Sequence, residues 1–219
     1  MSLRVWIGNR TRGEWLLALV LMAASIAMIR TTIANGMDFE VYWRAVHYFL
    51  RGEGIYDLSR DGPMVFKYPP WWMPLFLPLG MLPLVSAKLA WGLVEAVSLI
   101  VVADRVRRMG VRPTIVLALV ILGFAGLWAV HAFVGQISLP LLMLGLLLNP
   151  WTSSDRAVPK FALLAWAFSA KVFTLFPLVP WSAGLLRGGR WGRAILVTGV
   201  LLFILSLPVL SVTQGHSVP

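Results

Sequence analysis

The sequence predicts an all-α membrane protein, folded as a bundle of about six or seven transmembrane helices. Of its 219 residues, 59% are hydrophobic and only 13% are charged, whereas soluble domains carry about 25% charged residues. The mean hydropathy is +0.81. The 11 Trp residues fit this class, because Trp favours the membrane interface. We therefore expect residues 1–219 to form a single integral membrane domain.

Apolar runs between polar or basic stretches define the predicted helices. The first run, residues 15–34, follows Arg4, Arg10 and Arg12, and a cleaved signal peptide is the alternative interpretation of it. The later runs cover residues 68–82, 85–103, 114–130, 137–148, 161–181 and 194–210. The 68–82 run is short and contains four prolines, so it either crosses the membrane or dips in and returns.

The orientation of these helices is left open by the charges. The N-terminal arginines place the N-terminus in the cytoplasm, which makes residues 35–67 an external loop. The basic stretch 104–113 then lies outside if every run crosses, and inside if the proline-rich run returns; in the second case 186–193 lies outside. The net charge of +10 comes from arginine clusters between apolar runs, which indicates anionic membrane lipids as partners and excludes nucleic acid.

The external loop contains a predicted amphipathic helix that lies flat on the membrane surface. Gly36 allows a sharp turn before it, and Gly52 can end it in a left-handed conformation. One face carries apolar side chains and the opposite face carries charged ones. The apolar set is Phe39, Tyr42, Trp43, Val46, Phe49 and Leu50, and the polar set is Glu40, Arg44, His47 and Arg51.

Polar residues at the edges of the apolar runs are the candidate functional residues. Asp38 precedes the amphipathic helix, where it acts as an N-cap, as a general base on a hydroxyl group, or as both. Lys67 and Tyr68 lie in an extended segment, because Pro69 and Pro70 exclude helical geometry before them. Gln136 follows Gly135 at the end of a run and is either a helix cap or a ligand-binding amide.

Lys171 is the sharpest anomaly, since a lysine in the middle of a membrane span costs about 2.5–3.5 kcal/mol. It must face a cavity, an anionic ligand or a carboxylate, and Glu95 is the candidate carboxylate. The chain has no Cys and its His residues (His47, His131 and His216) are far apart. The sequence therefore predicts neither a metal site nor a cofactor. His131 is expected to lie at the membrane interface rather than to act as a catalyst.

Several of these residues, in this order, resemble one bacterial family. The matching positions are Asp38-Phe39, Val41-Tyr42-Trp43, Ala45, Gly52, Ile55-Tyr56, Tyr68-Pro69-Pro70, Gly135-Gln136 and Lys171. They resemble glycosyltransferase family 87 (the DUF2029 group), which includes polyprenol-phosphate-mannose-dependent mannosyltransferases. The resemblance implies a GT-C fold in the bacterial inner membrane and a polyprenyl-phosphate sugar donor, and it implies that Asp38 is the catalytic base.

The resemblance implies a reaction that moves a hexose, expected to be mannose, to a lipid or glycan acceptor. The leaving polyprenyl phosphate is an anion that needs cations and hydrogen-bond donors, so one carboxylate suffices for an inverting displacement. The predicted substrate-binding residues are Tyr42, Arg44, Lys67, Tyr68, Gln136 and Lys171.

Two other functions are consistent with the sequence. Members of the family are longer than this chain, with further spans, so the chain is expected to be the N-terminal half of such an enzyme. The alternatives are a truncated relative, one half of a split enzyme, and a non-catalytic subunit with a membrane partner. A transporter is a third interpretation, but the chain shows no inverted repeat.

Overall fold

A computed structural model describes residues 11–123, 135–147, 157–168 and 191–214 of the chain. These residues are mostly helical, and none of them lies in a strand. The helices are α1 (Arg12–Ala34), α2 (Met37–Leu50), α3 (Leu58–Asp61), α4 (Met73–Gly80), α5 (Leu84–Arg108), α6 (Pro113–Gly123), α7 (Ser138–Leu147), α8 (Ala157–Phe168) and α9 (Trp191–Gln214). Two short 3₁₀ helices, Gly62–Met64 and Pro70–Trp72, precede α4.

Helices α1 and α5 are each long and apolar enough to cross a membrane. They contain 23 and 25 residues, which corresponds to roughly 35 Å at 1.5 Å per residue. Helices α6 and α7 and the segment 192–204 are shorter apolar helices. For the described residues the prediction of an all-helical fold is confirmed, and two helices long and apolar enough to span a membrane support the membrane class. The count of six or seven spans stays a prediction.

The chain divides into two compact units. Unit 1 comprises residues 1–39 and 88–143, and unit 2 comprises residues 40–87 and 144–219. Both units are therefore built from two separate stretches of sequence, and α2, α5 and α7 each run from one unit into the other. The sequence gives no sign of this division, since it shows no change of composition at residues 39 or 87.

Unit 1 is organised around α1 and α5, which run antiparallel. At one end of the pair, Lys88 Nζ donates a hydrogen bond of 2.9 Å to the carbonyl oxygen of Asn35. At the other end, Arg107 Nη1 lies 2.7 Å from Glu14 Oε1. The chain segment 36–87 thus begins and ends at the same end of this helix pair. This arrangement favours the interpretation in which the proline-rich run returns.

Small residues let α1 and α5 approach closely along their length. A Cβ atom added to Gly92 would lie 3.0 Å from the Cα atom of Ile29, so the two backbones are in near contact there. From this point towards the Glu14–Arg107 end of the pair, the interface is lined by apolar residues such as Met28 and Leu99, which are almost fully buried. Val116 and Val120 of α6 complete the same core cluster. Close backbone approach at a small residue is typical of helix packing inside membranes.

Unit 2 buries the apolar face of α2 against protein side chains. Tyr42 stacks on Phe76 of α4 with ring centroids 4.4 Å apart. Gly80 packs directly against the side chain of Val46, and Trp43 Nε1 donates a hydrogen bond of 2.9 Å to the carbonyl oxygen of Leu82. The predicted amphipathic helix is present; Phe39, Tyr42 and Val46 of its apolar face are buried within the protein, whereas Leu50 is 57% exposed.

The loop after α2 is organised by Arg60. Its guanidinium carbon lies 3.3 Å from the ring centroid of Tyr48, and its Nη2 donates a 2.8 Å hydrogen bond to the carbonyl oxygen of Gly54. The same group pairs with Asp61 at 3.0 Å. A cation over an aromatic face contributes roughly 0.5–2 kcal/mol. Arg60 therefore holds residues 48–61 together, a role that the sequence pattern does not indicate.

The predicted boundaries agree with the observed helices within a few residues in the described ranges. The predicted runs 15–34, 85–103, 137–148 and 194–210 correspond to α1, α5, α7 and α9. The run 68–82 contains the helix Pro70–Trp72 followed by α4, which has eight residues and is about 12 Å long. Residues 124–130 and 169–181 of two further predicted runs lie outside the described residues.

Candidate functional site

The first candidate residue, Asp38, lies at the start of α2. Gly36 has φ +47°, the left-handed conformation that glycine adopts without strain. The helix begins at Met37, so Asp38 is its second residue rather than the residue before it. The side chain of Asp38 is half-buried. Since α1 ends at Ala34, this turn lies at the end of the α1–α5 pair that is opposite to the Glu14–Arg107 ion pair.

The segment Gly135-Gln136 meets the start of α2 within unit 1. Gly135 has φ +71°, and a Cβ atom added there would lie 3.2 Å from Phe39 Cβ and 3.3 Å from Gly36 Cα. A larger residue would be strained and crowded, so glycine is needed at this position. The contact brings Gln136 beside the turn that carries Asp38, although about a hundred residues separate the two in sequence.

Trp91 of α5 contacts both the start of α2 and the Gly135-Gln136 segment. Its ring stacks on Phe39 with centroids 5.5 Å apart, an arrangement worth roughly 0.5–1.5 kcal/mol beyond burial. Its Nε1 donates a 3.1 Å hydrogen bond to the carbonyl oxygen of Gly135. Lys88, one turn earlier, is 6% exposed and holds the Asn35 carbonyl. Unit 1 therefore fixes the turn before Asp38 through two buried donors.

Sequence reasoning did not select Trp91 or Lys88 as site residues. A signal for them is present, because Lys88, Trp91 and Glu95 recur at spacings of three and four and share one face of α5. Polar side chains on one face of an otherwise apolar helix indicate a buried polar contact. Of this face, the sequence singles out only Glu95, as the candidate partner of Lys171.

Glu95 lies fully buried on the same face of α5. Thr32 Oγ1 donates a 2.6 Å hydrogen bond to Glu95 Oε2, and both residues are 0% exposed. The second oxygen, Oε1, has no hydrogen-bond partner among the described residues. The predicted pairing of Glu95 with Lys171 remains a prediction, because Lys171 lies outside the described residues.

The other predicted residues belong to unit 2, where Tyr42 and Tyr68 form a pair. Their hydroxyl oxygens are 2.8 Å apart, and their rings meet edge to face at 5.1 Å. Tyr68 is presented by the extended segment that the two prolines impose, since Pro69 has ψ 153°. Phe66 and Phe76 pack around both tyrosines. The extended segment expected to place Tyr68 at the start of the next helix is thus observed.

Two tryptophans extend this aromatic cluster. Trp72 stacks on Trp166 of α8 with centroids 4.7 Å apart and an interplanar angle of 11°. Trp166 Nε1 donates a 3.1 Å hydrogen bond to the carbonyl oxygen of Trp71. The 3₁₀ turn Pro70–Trp72 is thereby anchored to α8.

The predicted cationic residues of unit 2 differ in their surroundings. Lys67 is exposed, whereas Arg44 is half-buried. The Nε atom of Arg44 is buried without a hydrogen-bond partner among the described residues. A buried guanidinium donor that lacks a protein acceptor is suited to an anion. Within the described ranges, no group of three His, Asp or Glu side chains has a metal-binding arrangement.

The structure therefore divides the predicted site residues into two groups. Asp38 and Gln136 belong to unit 1, while Tyr42, Arg44, Lys67 and Tyr68 belong to unit 2; Lys171 lies outside the described residues. Comparison of the chain with protein-family models, with curated proteins and with solved structures gave no match.

Proposed function

We propose that this chain is a membrane glycosyltransferase of the GT-C type. It moves a hexose, mannose by the resemblance of its motifs, from a polyprenyl-phosphate donor to a lipid or glycan acceptor. Asp38 accepts the proton of the acceptor hydroxyl group, and the chain lies in the bacterial inner membrane as a multi-pass protein. The resemblance carried by Asp38, Tyr68-Pro69-Pro70 and Gly135-Gln136 is the basis of this proposal.

The observation that best supports it is the meeting of two distant motif segments. Gly135 packs against Gly36 and Phe39, on either side of Asp38 in the sequence, a contact that two purely local helix caps would not require. This contact needs a glycine with positive φ and a buried tryptophan that holds it. A carboxylate within reach of a bound alcohol can act as its general base, and an amide can orient that alcohol.

The arginine cluster supports the external location of Asp38. The stretch 104–113 lies at the same end of the α1–α5 pair as Arg12 and Glu14, since Arg107 pairs with Glu14. The positive-inside rule then assigns that end to the cytoplasm. The opposite end, with Asp38, faces the outside, where sugars carried on polyprenyl phosphate are transferred by enzymes of the resembled family.

The residues of unit 2 are assigned to the donor. Arg44 and Lys67 bind the phosphate and stabilise the leaving polyprenyl phosphate. We assign the same role to Lys171, on the basis of the sequence alone. The paired hydroxyl groups of Tyr42 and Tyr68 supply donors to a sugar or a phosphate. Aromatic rings around them provide an apolar wall.

The test is sugar transfer by the purified chain in lipid nanodiscs, with a radiolabelled polyprenyl-phosphate hexose and a lipid extract as acceptor. We expect Asp38→Asn to fold like the wild type and to lose transfer by about a hundredfold or more, since general-base catalysis contributes roughly 10²–10⁴-fold. Glu40→Gln, which removes the next carboxylate along the helix, is the matched control. Undiminished transfer by Asp38→Asn would remove Asp38 from the mechanism.

The alternative of a non-catalytic subunit has a separate outcome. If the wild-type chain transfers no sugar but co-purifies with a second membrane protein from its native host, the chain is a partner subunit. Restoration of transfer by that second protein, still abolished by Asp38→Asn, would identify a split enzyme.

A further inference from the structure

Unit 1 carries an apolar groove between α5 and α6 that the proposed reaction does not use. Its volume is about 450 Å³, within the range of roughly 300–1,000 Å³ that is typical of small-molecule sites. Its walls are aliphatic throughout and include Leu99, Val102 and Val106 of α5 and Val116, Val120 and Leu122 of α6. A groove with these walls excludes a polar ligand, because nothing along it would satisfy a polar group.

The groove runs from the α5–α6 connection along both helices. Val106 and Val116 lie nearest the connection, and Leu99 and Leu122 lie farthest from it. From Leu99 to Val106 the groove covers two helical turns, or about 10 Å. Leu119 and Leu122 on its α6 side are more than half exposed, as expected for residues that face lipid tails.

Several arginines lie close in sequence to the groove residues nearest the connection. Arg105 lies in the last turn of α5, and Arg112 immediately precedes α6. Arg107 and Arg108 are engaged by carboxylates, since Arg107 pairs with Glu14 and Arg108 Nε lies 2.6 Å from Asp104 Oδ2. By contrast, Arg105 and Arg112 form no ion pair with the described residues.

We propose that this groove binds one anionic phospholipid. The upper part of one acyl chain lies between α5 and α6, and the phosphate group lies against Arg105 and Arg112. The charge balance selects an anionic lipid over a zwitterionic one, since among the described residues this end of unit 1 carries Arg12, Arg105, Arg107, Arg108 and Arg112 against Glu14 and Asp104. The aliphatic walls select a lipid over free phosphate.

The experiment uses the full chain in phosphatidylcholine nanodiscs that contain a phosphatidylglycerol probe with a diazirine near the middle of one acyl chain. After irradiation, the adducts are located by mass spectrometry. We expect saturable labelling of α5 and α6 at the groove, which unlabelled phosphatidylglycerol displaces and which phosphatidylcholine and inorganic phosphate do not. Arg105→Gln and Arg112→Gln should each weaken saturation roughly fivefold, since a basic residue near a lipid surface contributes about 1 kcal/mol.

Two variants keep this test decisive. Arg193→Gln removes an exposed arginine of unit 2, and it should leave the labelling unchanged. Val102→Trp fills the groove from a half-buried position and should abolish labelling while the arginines remain. Labelling spread evenly over the lipid-facing helices, equal displacement by phosphatidylcholine, or an equal effect of Arg193→Gln would each overturn the proposal. Displacement by inorganic phosphate alone would show a phosphate site and refute the lipid.

Discussion

Thr32, in the last turn of α1, and Glu95, in the middle of α5, form a buried hydrogen bond. The bond is 2.6 Å long and both side chains are fully buried. The carboxyl group is therefore shielded from water and accepts a hydrogen bond from the hydroxyl group of Thr32 instead. We expect Thr32→Val, which keeps the shape of the side chain, to destabilise the protein by about 0.5–2 kcal/mol. The measurement is the thermal unfolding midpoint of the purified chain in detergent.

Thr31→Val is the matched control for this prediction. Thr31 Oγ1 donates only to the carbonyl oxygen of Ala27, in its own helix, and that carbonyl keeps its helical partner when the hydroxyl group is removed. The control should change the midpoint much less. Equal effects of the two substitutions would show that the bond to Glu95 contributes nothing specific.

Tyr56 provides a pH-dependent signal in the loop between α2 and α4. Burial raises the pKa of Tyr56 to about 12, and its hydroxyl group donates a 2.9 Å hydrogen bond to the carbonyl oxygen of Tyr68. The folded state therefore holds this proton more tightly than the unfolded state, in which the pKa is about 10. The stabilising contribution is complete below pH about 10 and is lost as the pH rises towards 12.

The measurement is the near-ultraviolet absorbance of tyrosinate during an alkaline titration. Four tyrosines contribute to the signal, and we expect a late step near pH 12 that disappears in Tyr56→Phe. A titration in which Tyr56→Phe removes a step near pH 10 would contradict the environment described for this residue.

At the residue scale, the sequence predicts the turn that carries Asp38 but not what holds it. Gly36 and Gly52 adopt the positive φ values expected of a turn and a helix end, +47° and +73°. The contacts of Trp91 and Lys88 join segments that are 40 or more positions apart. Local pattern carries no information on such pairings, because they depend on how α5 packs against α1.

At the element scale, the fit of α4 against α2 depends on the absence of a side chain at Gly80. A Cβ atom there would overlap the side chain of Val46, including its own Cβ. Val46 is β-branched and cannot move aside by changing rotamer easily. We expect Gly80→Ala to destabilise the protein by about 1–3 kcal/mol through overpacking, measured by thermal unfolding in detergent.

A double-mutant cycle separates this clash from the intrinsic effect of alanine. Val46→Gly removes Cβ and both γ-carbons, which are the atoms that the new methyl group would overlap, so the double variant should be less destabilised than the sum of the two single variants. Gly54→Ala, at a position with open space around it, should be close to neutral. Simple additivity in the cycle would rule out the close approach of α4 and α2.

The elements themselves are largely predictable from hydrophobic pattern, and their packing is not. Apolar runs bounded by basic or turn-forming residues locate α1, α5, α7 and α9 because membrane-spanning helices need long, nearly uncharged stretches. The amphipathic period of α2 also predicts a helix correctly. The same period cannot distinguish a face that meets lipid from one that meets protein, so the prediction that α2 lies flat on the membrane did not anticipate the packing of Tyr42 on Phe76.

At the scale of the whole molecule, the orientation of α1 and α5 decides whether Asp38 can meet an external donor. The antiparallel pair has Asn35 and Lys88 at one end and Glu14 and Arg107 at the other. Sequence charges alone left two topologies open, since they do not show whether the proline-rich run crosses. The hydrogen bond from Lys88 favours the second, because it returns the chain to the end at which it left α1.

The chain has no cysteine, so single cysteines can report this topology directly. Met37, beside Asp38, is 42% exposed, and Met109, in the basic turn after α5, is 58% exposed. We expect a membrane-impermeant maleimide to label Met37→Cys in intact cells, and to label Met109→Cys only after the inner membrane is permeabilised. The physical reason is that the arginines around Met109 favour the cytoplasmic side. Labelling of both cysteines from outside would contradict antiparallel spanning helices. The reverse pattern would place Asp38 in the cytoplasm, out of reach of a sugar donor on the outer face, and the proposed reaction would then fail.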